Sequence, residues 1–213
     1  MHALPTTIAK PAGLPVFPLH ADPGSDCVLA RLLADHPWRS GIPWPEGFAG
    51  GIAHRLDVPT SGALLVADDP DELARIREAF ADRAFVKVYR LRTAARVPWD
   101  TNHCERPIAH ARRDRRKMVV QRGASTPHRG QWYPADTAFA RIRGGLFEAR
   151  MSTGVMHQIR VHAAFLGIAL EGDRLYGGAP SDGGFLLHHM GLSGPFHTTP
   201  VVTPAWAAAG DPR

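Results

Sequence analysis

The sequence is poor in cysteine, with only Cys27 and Cys104 among its 213 residues. Two cysteines so far apart in the chain give neither a disulfide framework nor the closely spaced pair of a zinc site. This spacing excludes a small disulfide-stabilised scaffold. It favours a reducing compartment, and we expect the protein to be cytoplasmic.

Long hydrophobic runs are missing as well. Uninterrupted apolar stretches are a handful of residues long, as in 63–67, whereas a membrane span needs ~20 residues. Residues 1–13 do not combine a basic start with an apolar stretch, so they do not predict a secretory signal. Internal repeats and low-complexity tracts are also absent. We therefore expect no membrane partner and no repeat architecture.

The length fits one large domain. At about 150 residues per domain, the chain corresponds to roughly 1.4 domains, and a single domain over 1–213 is the simplest interpretation. Hydrophobic residues make up 44% of the sequence. A globular chain of this size can bury about 70% of the surface that its unfolded form exposes, so its stability does not require a metal or a disulfide.

The net charge of +5 is unevenly distributed. The segment 105–130 carries a net charge of +6, which leaves −1 for the remainder of the chain. Such a concentration of positive charge is typical of a protein that binds a polyanion, most commonly nucleic acid. A solvated basic loop remains an alternative on charge alone. The basic residues of this segment are Arg106, Arg112, Arg113, Arg115, Arg116, Lys117, Arg122 and Arg129.

Two helices and two strands are predicted in the first half of the chain. The apolar spacing within 27–36 predicts a helix with Ser25 or Asp26 as its N-cap. Asp69 and Pro70 are suited to open a second helix that runs to about residue 82. The short apolar run 62–67 predicts a buried strand, and 86–92 alternates as a strand does.

In the second half, Gly144 and Gly145 separate two alternating segments, 137–143 and 146–151, which predicts a hairpin. A helix is expected from about Val155 to Gly167, whereas 100–135 is expected to be irregular. Several strands with few helices indicate an α+β fold. We expect a mixed, largely antiparallel sheet with flanking helices.

The segment His54–Gly62 places Asp57 on a tight turn just before the predicted buried strand. In one interpretation Asp57 is part of an Asx-turn that shapes the loop. In the other, the strand end presents the Asp57 carboxylate at a cleft, with Arg55 projecting from the same face. The geometry of this segment alone does not decide between them.

This segment resembles the HRLD…TSG signature of the RluA-type pseudouridine synthases. Further segments resemble motifs of that family in the family's order, and together they cover about residues 8–206. They are Lys10–Val16 (KPxGLPV), Lys87–Tyr89 (KxY), Arg106–Ile108 with Lys117–Val120 (PI…KMxV), Thr153–His162 (TGRxHQIRVH), Leu170–Gly177 (LxGDxxYG), Leu187–His188 (LHA) and Pro204–Trp206 (PxW).

Two positions depart from the family pattern. Val58 and Pro59 follow HRLD where the family usually has a charged pair, and Val155 follows TG where the family has arginine. The missing arginine removes one contact to RNA phosphate or to the active-site carboxylate. This departure bears on substrate range and rate more than on reaction type.

The resemblance implies a pseudouridine synthase catalytic fold acting on structured ribosomal or transfer RNA. In that reaction the bond from ribose to uracil N1 breaks, the base turns, and the sugar rejoins the base through C5. No atom is gained or lost, so no cofactor is expected. One ionised carboxylate can serve as nucleophile or base on the ribose.

The resemblance also assigns roles to residues. Asp57 is the catalytic carboxylate, Arg160 pairs with it and keeps it ionised, and Tyr89 stacks on the flipped uracil. Arg55 is expected to fill the gap that the extruded nucleotide leaves in the RNA. The remaining expected RNA contacts are Arg112, Arg113, Arg115, Arg116, Lys117 and His157.

Taken singly, some of these residues have simpler interpretations. Arg160 alone suggests an ordinary helix ion pair, and Tyr89 alone suggests a core residue. The histidine spacings do not suit a shared metal ion, and both HExxH and GxSxG are absent. A non-catalytic RNA-binding or RNA-chaperone protein is the rival hypothesis. We expect a monomer without an additional N-terminal RNA-binding domain.

Overall fold

The structure is a computed structural model that describes residues 5–19, 21–195 and 201–208. Strands and short helices alternate irregularly along the chain. In chain order they are β1 (Thr6–Lys10), α1 (Val28–Asp35), β2 (Ser61–Val66), α2 (Pro70–Ala81), β3 (Val86–Arg92), β4 (Thr101–Cys104), β5 (Ile108–Ala111), β6 (Met118–Val120), β7 (His128–Tyr133), β8 (Thr137–Arg143), β9 (Leu146–Met151), α3 (Gln158–Phe165) and β10 (Leu187–Ser193).

The chain divides into two compact units. The described residues up to Lys87, together with those from His188 to Thr203, form the first unit. The second unit comprises Val88–Leu187 and the described residues from Pro204 onward. Asp57 and its loop belong to the first unit, whereas Tyr89 and Arg160 belong to the second.

The first unit contains the strand order β1-β2-β10. β1 runs antiparallel to β2 in a register from Thr6 opposite Val66 to Lys10 opposite Gly62. β10 runs parallel to β2, with His189 opposite Gly62. A Cβ atom at Gly62 would lie 2.2 Å from the carbonyl oxygen of His189, and its φ of +128° is unfavourable for other residues. Only glycine therefore permits this strand approach.

Of the two N-cap predictions in the first unit, the one for α2 is confirmed and the one for α1 is wrong. Asp69 caps α2 by accepting a hydrogen bond from the Glu72 amide at 2.7 Å, as predicted. The N-cap of α1 is Cys27, whose Sγ accepts from the Ala30 amide at 3.3 Å. The prediction of Ser25 or Asp26 is wrong because the Asp26 carboxylate instead binds the guanidinium of Arg31.

The core of the first unit forms where β2 and α2 pack together. The apolar stripe of α2 supplies Leu73 and Ile76, which are fully buried. They lie in a cluster with Leu65, Phe85 and other apolar residues, and partly buried aromatic rings cover the cluster. This packing makes β2 a rigid strand directly after the loop that carries Asp57.

The second unit contains two sets of strands, and the pairings β4–β8, β8–β9, β5–β6 and β5–β7 are antiparallel. One has the order β3-β9-β8-β4, in which β8 and β9 form the predicted hairpin around Gly144 and Gly145. The other is a three-stranded sheet with the order β6-β5-β7. The expectation that 100–135 is irregular is wrong. The strands there are only three to six residues long, too short to show clear periodicity.

The helix α3 begins at Gln158, three residues after the predicted start at Val155. The Gln158 side chain accepts hydrogen bonds from the Val155 amide at 3.1 Å and from the Thr153 hydroxyl at 2.9 Å. These bonds hold the preceding residues in a turn rather than a helix. His157 adopts a left-handed conformation with a φ of 55° at the junction.

The prediction of an α+β fold with a largely antiparallel sheet is confirmed. Among the strand pairings within each unit, only β2 with β10 is described as parallel. Across the described residues, every helix falls short of the length and hydropathy that crossing a bilayer demands.

The first unit buries histidines next to β2. His189 is fully buried, and its Nδ1 lies 2.6 Å from the Ala63 carbonyl oxygen. The ring of His54 packs against His189, with centroids 5.5 Å apart. Burial lowers the pKa of His189 to about 4, and burial also lowers the pKa of His54 well below its usual value. Both rings are therefore neutral in the folded protein near neutral pH.

We expect this arrangement to make the protein sensitive to acid. The unfolded state binds a proton at His189 near pH 6.5, whereas the folded state does so only near pH 4. The contribution of neutral His189 to stability is therefore fully present above pH 6.5 and is lost as the pH drops toward 4, by about 3 kcal/mol. Urea unfolding across this range should show a flatter pH dependence in His189→Gln. The exposed His36→Gln is the control, and an unchanged slope in His189→Gln would contradict the assignment.

Candidate active site

Asp57 lies in a tight turn between the buried residue Leu56 and β2. The Thr60 amide donates a hydrogen bond to the Asp57 carbonyl oxygen at 3.0 Å, which closes the turn. The Gly13 amide donates to the Val58 carbonyl oxygen at 2.9 Å and ties the turn to the segment after β1. The side chain of Asp57 is partly exposed, whereas Leu56 and Thr60 are buried. The turn thus carries an accessible carboxylate on a fixed backbone.

The buried ammonium of Lys10 holds this turn by hydrogen bonds to its carbonyl oxygens. Its side chain is 2% exposed, and its ammonium donates to the carbonyl oxygens of Val58 at 2.9 Å and Thr60 at 2.6 Å. A third bond reaches the carbonyl oxygen of Pro11 at 3.0 Å. Burial lowers the pKa of Lys10 to about 8, and the negative charge of Asp57 opposes that shift. The ammonium and the carboxylate therefore interact electrostatically within one turn.

The residues before Asp57 alternate between the interior and the surface. His54 points inward, where its Nε2 accepts a hydrogen bond from the Leu65 amide at 3.1 Å. Arg55 is exposed, as its expected role requires. Val58 is also exposed, at 44%, and places an apolar surface next to the carboxylate.

In the second unit, Arg160 is buried and bound at two points. Its Nε and Nη2 donate to the two carboxylate oxygens of Asp173 at 2.8 and 2.9 Å. Its guanidinium lies over the rings of Tyr176 and Phe185, 5.1 Å from each centroid. These two bonds form a bidentate ion pair between the guanidinium and the Asp173 carboxylate.

Asp173 lies in the motif Leu170–Gly177, but the sequence analysis predicts no role for it. Its Oδ1 also accepts from the amides of Leu175 and Tyr176, and its carbonyl oxygen accepts from the Gly178 amide at 2.8 Å. A Cβ atom at Gly178 would lie 1.7 Å from the Leu170 carbonyl oxygen, so the turn needs glycine. The separation of thirteen residues between Arg160 and Asp173 matches no helical or strand period, which is why spacing could not reveal the pair.

Tyr176 is a second residue that sequence reasoning left without a role. Its hydroxyl accepts a hydrogen bond from the Met118 amide at 2.8 Å and lies 2.9 Å from Nδ1 of His157. His157 was predicted to contact RNA, and it is partly exposed. Tyr176 therefore links the N-terminal end of α3, at His157, to β6 of the three-stranded sheet.

Tyr89 lies on β3 and is 6% exposed. Its predicted role in stacking on a base and its simpler interpretation as a core residue both agree with a position on this strand. The stacking role stays a prediction.

The predicted RNA contacts between β5 and β6 form an exposed basic turn. The Ala111 amide donates to the Lys117 carbonyl oxygen at 2.9 Å, which closes the turn. Asp114 binds the guanidinium of Arg116 through both carboxylate oxygens, at 3.2 and 3.1 Å. Arg112, Arg113 and Arg115 are exposed as well. The turn presents positive charge to solvent, as expected of a phosphate-binding segment.

One group of described side chains has ligand atoms close enough to hold a metal ion. His103, Glu105 and Asp136 have ligand atoms within 4.8 Å of one another. Nε2 of His103 lies 2.8 Å from Asp136, and its Nδ1 lies 3.3 Å from Glu105. Direct contacts of the two ring nitrogens of His103 with the exposed Glu105 and the partly exposed Asp136 account for this geometry without a metal.

Comparisons with known proteins converge on one family. A family model described as RNA pseudouridylate synthase matches residues 6–165. The chain is 38% identical over 134 residues to RNA pseudouridine synthase 2, chloroplastic, of Oryza sativa subsp. japonica, covering 62% of this chain and 30% of that protein. It is 37% identical over 176 residues to Ribosomal large subunit pseudouridine synthase D of Xanthomonas campestris pv. campestris, covering 81% of this chain and 49% of that protein.

A solved structure shares the fold. Human RNA Pseudouridylate Synthase Domain Containing 4 superposes with a TM-score of 0.68 at 24% identity, covering 95% of this chain and 87% of that one. The chain spans about a third to a half of the length of the two curated relatives named above.

The Lys10 contacts predict a large stability effect. Lys10→Met removes three charge-assisted hydrogen bonds and leaves buried carbonyl oxygens without a donor, so unfolding should become easier by at least ~2 kcal/mol. Urea unfolding at pH 7 measures this change. Lys117→Met, on the basic turn, is the matched control. A Lys10→Met variant as stable as that control would show that the ammonium does not hold the turn.

Proposed function

Because the chain belongs to the RNA pseudouridylate synthase family, we propose that it isomerises uridine to pseudouridine in RNA with Asp57 as the catalytic carboxylate. The observation that carries this proposal is the turn of Asp57, which presents a partly exposed carboxylate on a backbone fixed by the buried ammonium of Lys10. A carboxylate held in this way is already oriented before the substrate binds, which reduces the cost of reaching the reactive geometry.

The reaction requires one group that acts on the ribose while the base turns. The bond from C1′ to N1 breaks, a bond from C1′ to C5 forms, C5 loses its proton and N1 gains one. Asp57 can attack C1′ as a nucleophile or remove a ribose proton as a base, and both roles require the ionised form. The buried Lys10 ammonium holds the turn that carries this carboxylate and interacts with it electrostatically.

Arg160 is proposed to bind and orient Asp57. A guanidinium has donors along more than one edge, so its contact with Asp173 is compatible with a second carboxylate on another edge. Asp173 and the rings of Tyr176 and Phe185 fix the plane of Arg160. A fixed plane gives a directional contact, which a flexible surface arginine would not provide.

Tyr89 and Arg55 complete the proposed nucleotide site. Tyr89 would stack on the extruded uracil, and Arg55 would occupy the gap that the nucleotide leaves in the RNA. The exposure of Arg55 supports this role. The basic turn would contact RNA phosphates.

The substrate is proposed to be structured ribosomal or transfer RNA, modified in the cytoplasm. The name of the Xanthomonas relative refers to the large ribosomal subunit, which makes ribosomal RNA the first substrate to test. The rival function, RNA binding without catalysis, draws support from the absence of the family's arginine at Val155. In this structure Val155 packs against the apolar cluster of the second unit and occupies space that a solvated cation would not.

Asp57→Asn tests catalysis directly, because the amide keeps the shape of the side chain and loses its charge. We expect RNA binding and folding to be nearly unchanged and pseudouridine formation to be abolished. Pseudouridine mapping in ribosomal and transfer RNA measures the outcome, with the exposed Asp35→Asn as the control. Turnover above roughly a tenth of the wild-type rate in Asp57→Asn would contradict the assignment.

Arg160→Lys tests the orienting role, because lysine keeps the charge but cannot make a planar two-point contact. The rate of the chemical step should fall at least tenfold, or ~1.4 kcal/mol in barrier, with little change in RNA affinity. Single-turnover rates at saturating enzyme measure it.

Two comparisons separate orientation of Asp57 from a purely structural role. Asp173→Asn keeps the guanidinium but loses the ion pair that fixes its plane, so it should lower the rate of the chemical step as well as the stability, whereas a purely structural role predicts a loss of stability alone. Arg150→Lys, on an exposed ion pair, should change neither. A wild-type single-turnover rate in Arg160→Lys would show that Arg160 contributes only positive potential.

A further inference from the structure

Two arginines of the second unit share one aromatic ring. The guanidinium carbon of Arg106 lies 5.4 Å from the ring centroid of Phe165, and that of Arg122 lies 5.8 Å from it. Each distance is within the range of a cation–π interaction. We call Arg106, Arg122 and Phe165 the arginine pair site.

Local hydrogen bonds hold the Arg106 guanidinium and the backbone at Arg122. Nη1 of Arg106 donates to the Gln121 carbonyl oxygen at 3.2 Å. The Thr126 hydroxyl oxygen accepts from the main-chain amides of Arg122 at 2.9 Å and Gly123 at 3.0 Å, which fixes the turn that begins at Arg122. The Arg122 guanidinium is positioned by its contact with the ring of Phe165.

The ring beneath them is also fixed. Phe165 is the last residue of α3 and packs against the buried cluster that includes Ile108, Met118 and Val120. Because Ile108 and Val120 face each other across β5 and β6, the segments leading to both arginines start from one paired position. The ring and the two cations thus form a preorganised unit.

Among the described residues, no acidic side chain forms an ion pair with either arginine of this site. Within residues 5–19, 21–195 and 201–208, neither Arg106 nor Arg122 forms an ion pair. Glu105, which precedes Arg106, is engaged with His103 instead. Two like charges near one ring repel each other, and a bound anion would offset that repulsion.

We propose that Arg106 and Arg122, resting on Phe165, bind one phosphate of the RNA backbone at the end of the three-stranded sheet opposite the basic turn. This inference rests on the proposed function, which supplies RNA as the polyanion. Arginine suits the ligand because its planar donors match phosphate oxygens at two points.

The arginine pair site is a contact separate from the basic turn. Arg106 and Arg122 flank the paired residues Ile108 and Val120, whereas the basic turn joins the other ends of β5 and β6. At about 3.4 Å per residue, the four residues of β5 separate the two positions by roughly 10–14 Å. One phosphate cannot reach both, so the protein would contact at least two phosphates.

The test is the salt dependence of RNA binding, measured in the Asp57→Asn background so that no turnover occurs. The probe is a fluorescein-labelled, uridine-containing RNA stem-loop. Each neutralised phosphate contributes ~0.7 to the slope of log affinity against log salt on single strands and ~0.9 on duplex. The double variant Arg106→Ala, Arg122→Ala should lower the slope by the contribution of about one phosphate, ~0.7 to ~0.9, because both cations bind the same phosphate.

The matched control removes two other exposed arginines of the same charge. Arg75 and Arg77 lie on α2, and Arg77 lies alone over the ring of Phe48 at 4.4 Å. Arg75→Ala with Arg77→Ala should leave the slope unchanged. Equal slopes in the two double variants would overturn the proposal.

Neutral methylphosphonates introduced one at a time into the stem-loop identify the contacted phosphate. One substitution should weaken binding to the parent protein and have no effect on the Arg106→Ala, Arg122→Ala variant. Equal weakening in both at every position would also overturn the proposal. Binding is measured without turnover, whereas the proposed function is tested by the loss of pseudouridine formation in Asp57→Asn. The two can therefore fail separately.

Discussion

A buried ammonium must be surrounded by oxygen atoms, and around Lys10 that requirement determines the conformation of the proposed catalytic turn. Lys10 faces Gly62 at the end of the β1–β2 register, and its Nζ reaches back to the carbonyl oxygens of Val58 and Thr60. The strand pairing, the turn and the start of β2 are therefore one linked arrangement. Because Gly62 also admits the close approach of His189, β10 depends on the same few residues.

Two buried cations of the molecule, Lys10 and Arg160, are stabilised in different ways. Lys10 is bound by neutral carbonyl groups, and burial makes its proton easier to lose. Arg160 is bound by the Asp173 carboxylate and by two aromatic rings, which suits a cation that does not lose its proton. The first solution leaves the net positive charge beside Asp57, whereas the second balances it locally. An ion pair of this kind contributes orientation more than net positive potential.

Much of the fold was predictable because its signals are local. Asp69 before Pro70 specified the start of α2, and the glycine pair at Gly144 and Gly145 specified the hairpin. The cap of α1 was mispredicted, because Asp26 has the right chemistry for a cap but is engaged by Arg31. The strands between 101 and 133 were missed because each is stabilised by cross-strand partners rather than by its own pattern. For the candidate site, the motifs predicted roles for Asp57 and Arg160, whereas only the structure reveals that Lys10 holds the Asp57 turn and that Asp173 binds Arg160.

The parallel pairing of β10 with β2 has a consequence for synthesis on the ribosome. β2 ends at Val66, but its partner residues His188 and His189 are made more than a hundred residues later. The first unit cannot complete its sheet until nearly the whole described chain has been translated. The second unit, by contrast, consists mainly of one continuous segment, Val88–Leu187. The edge of β2 that β10 later covers is therefore an unpaired strand edge during translation, which is the kind of surface that nascent chains must protect from aggregation.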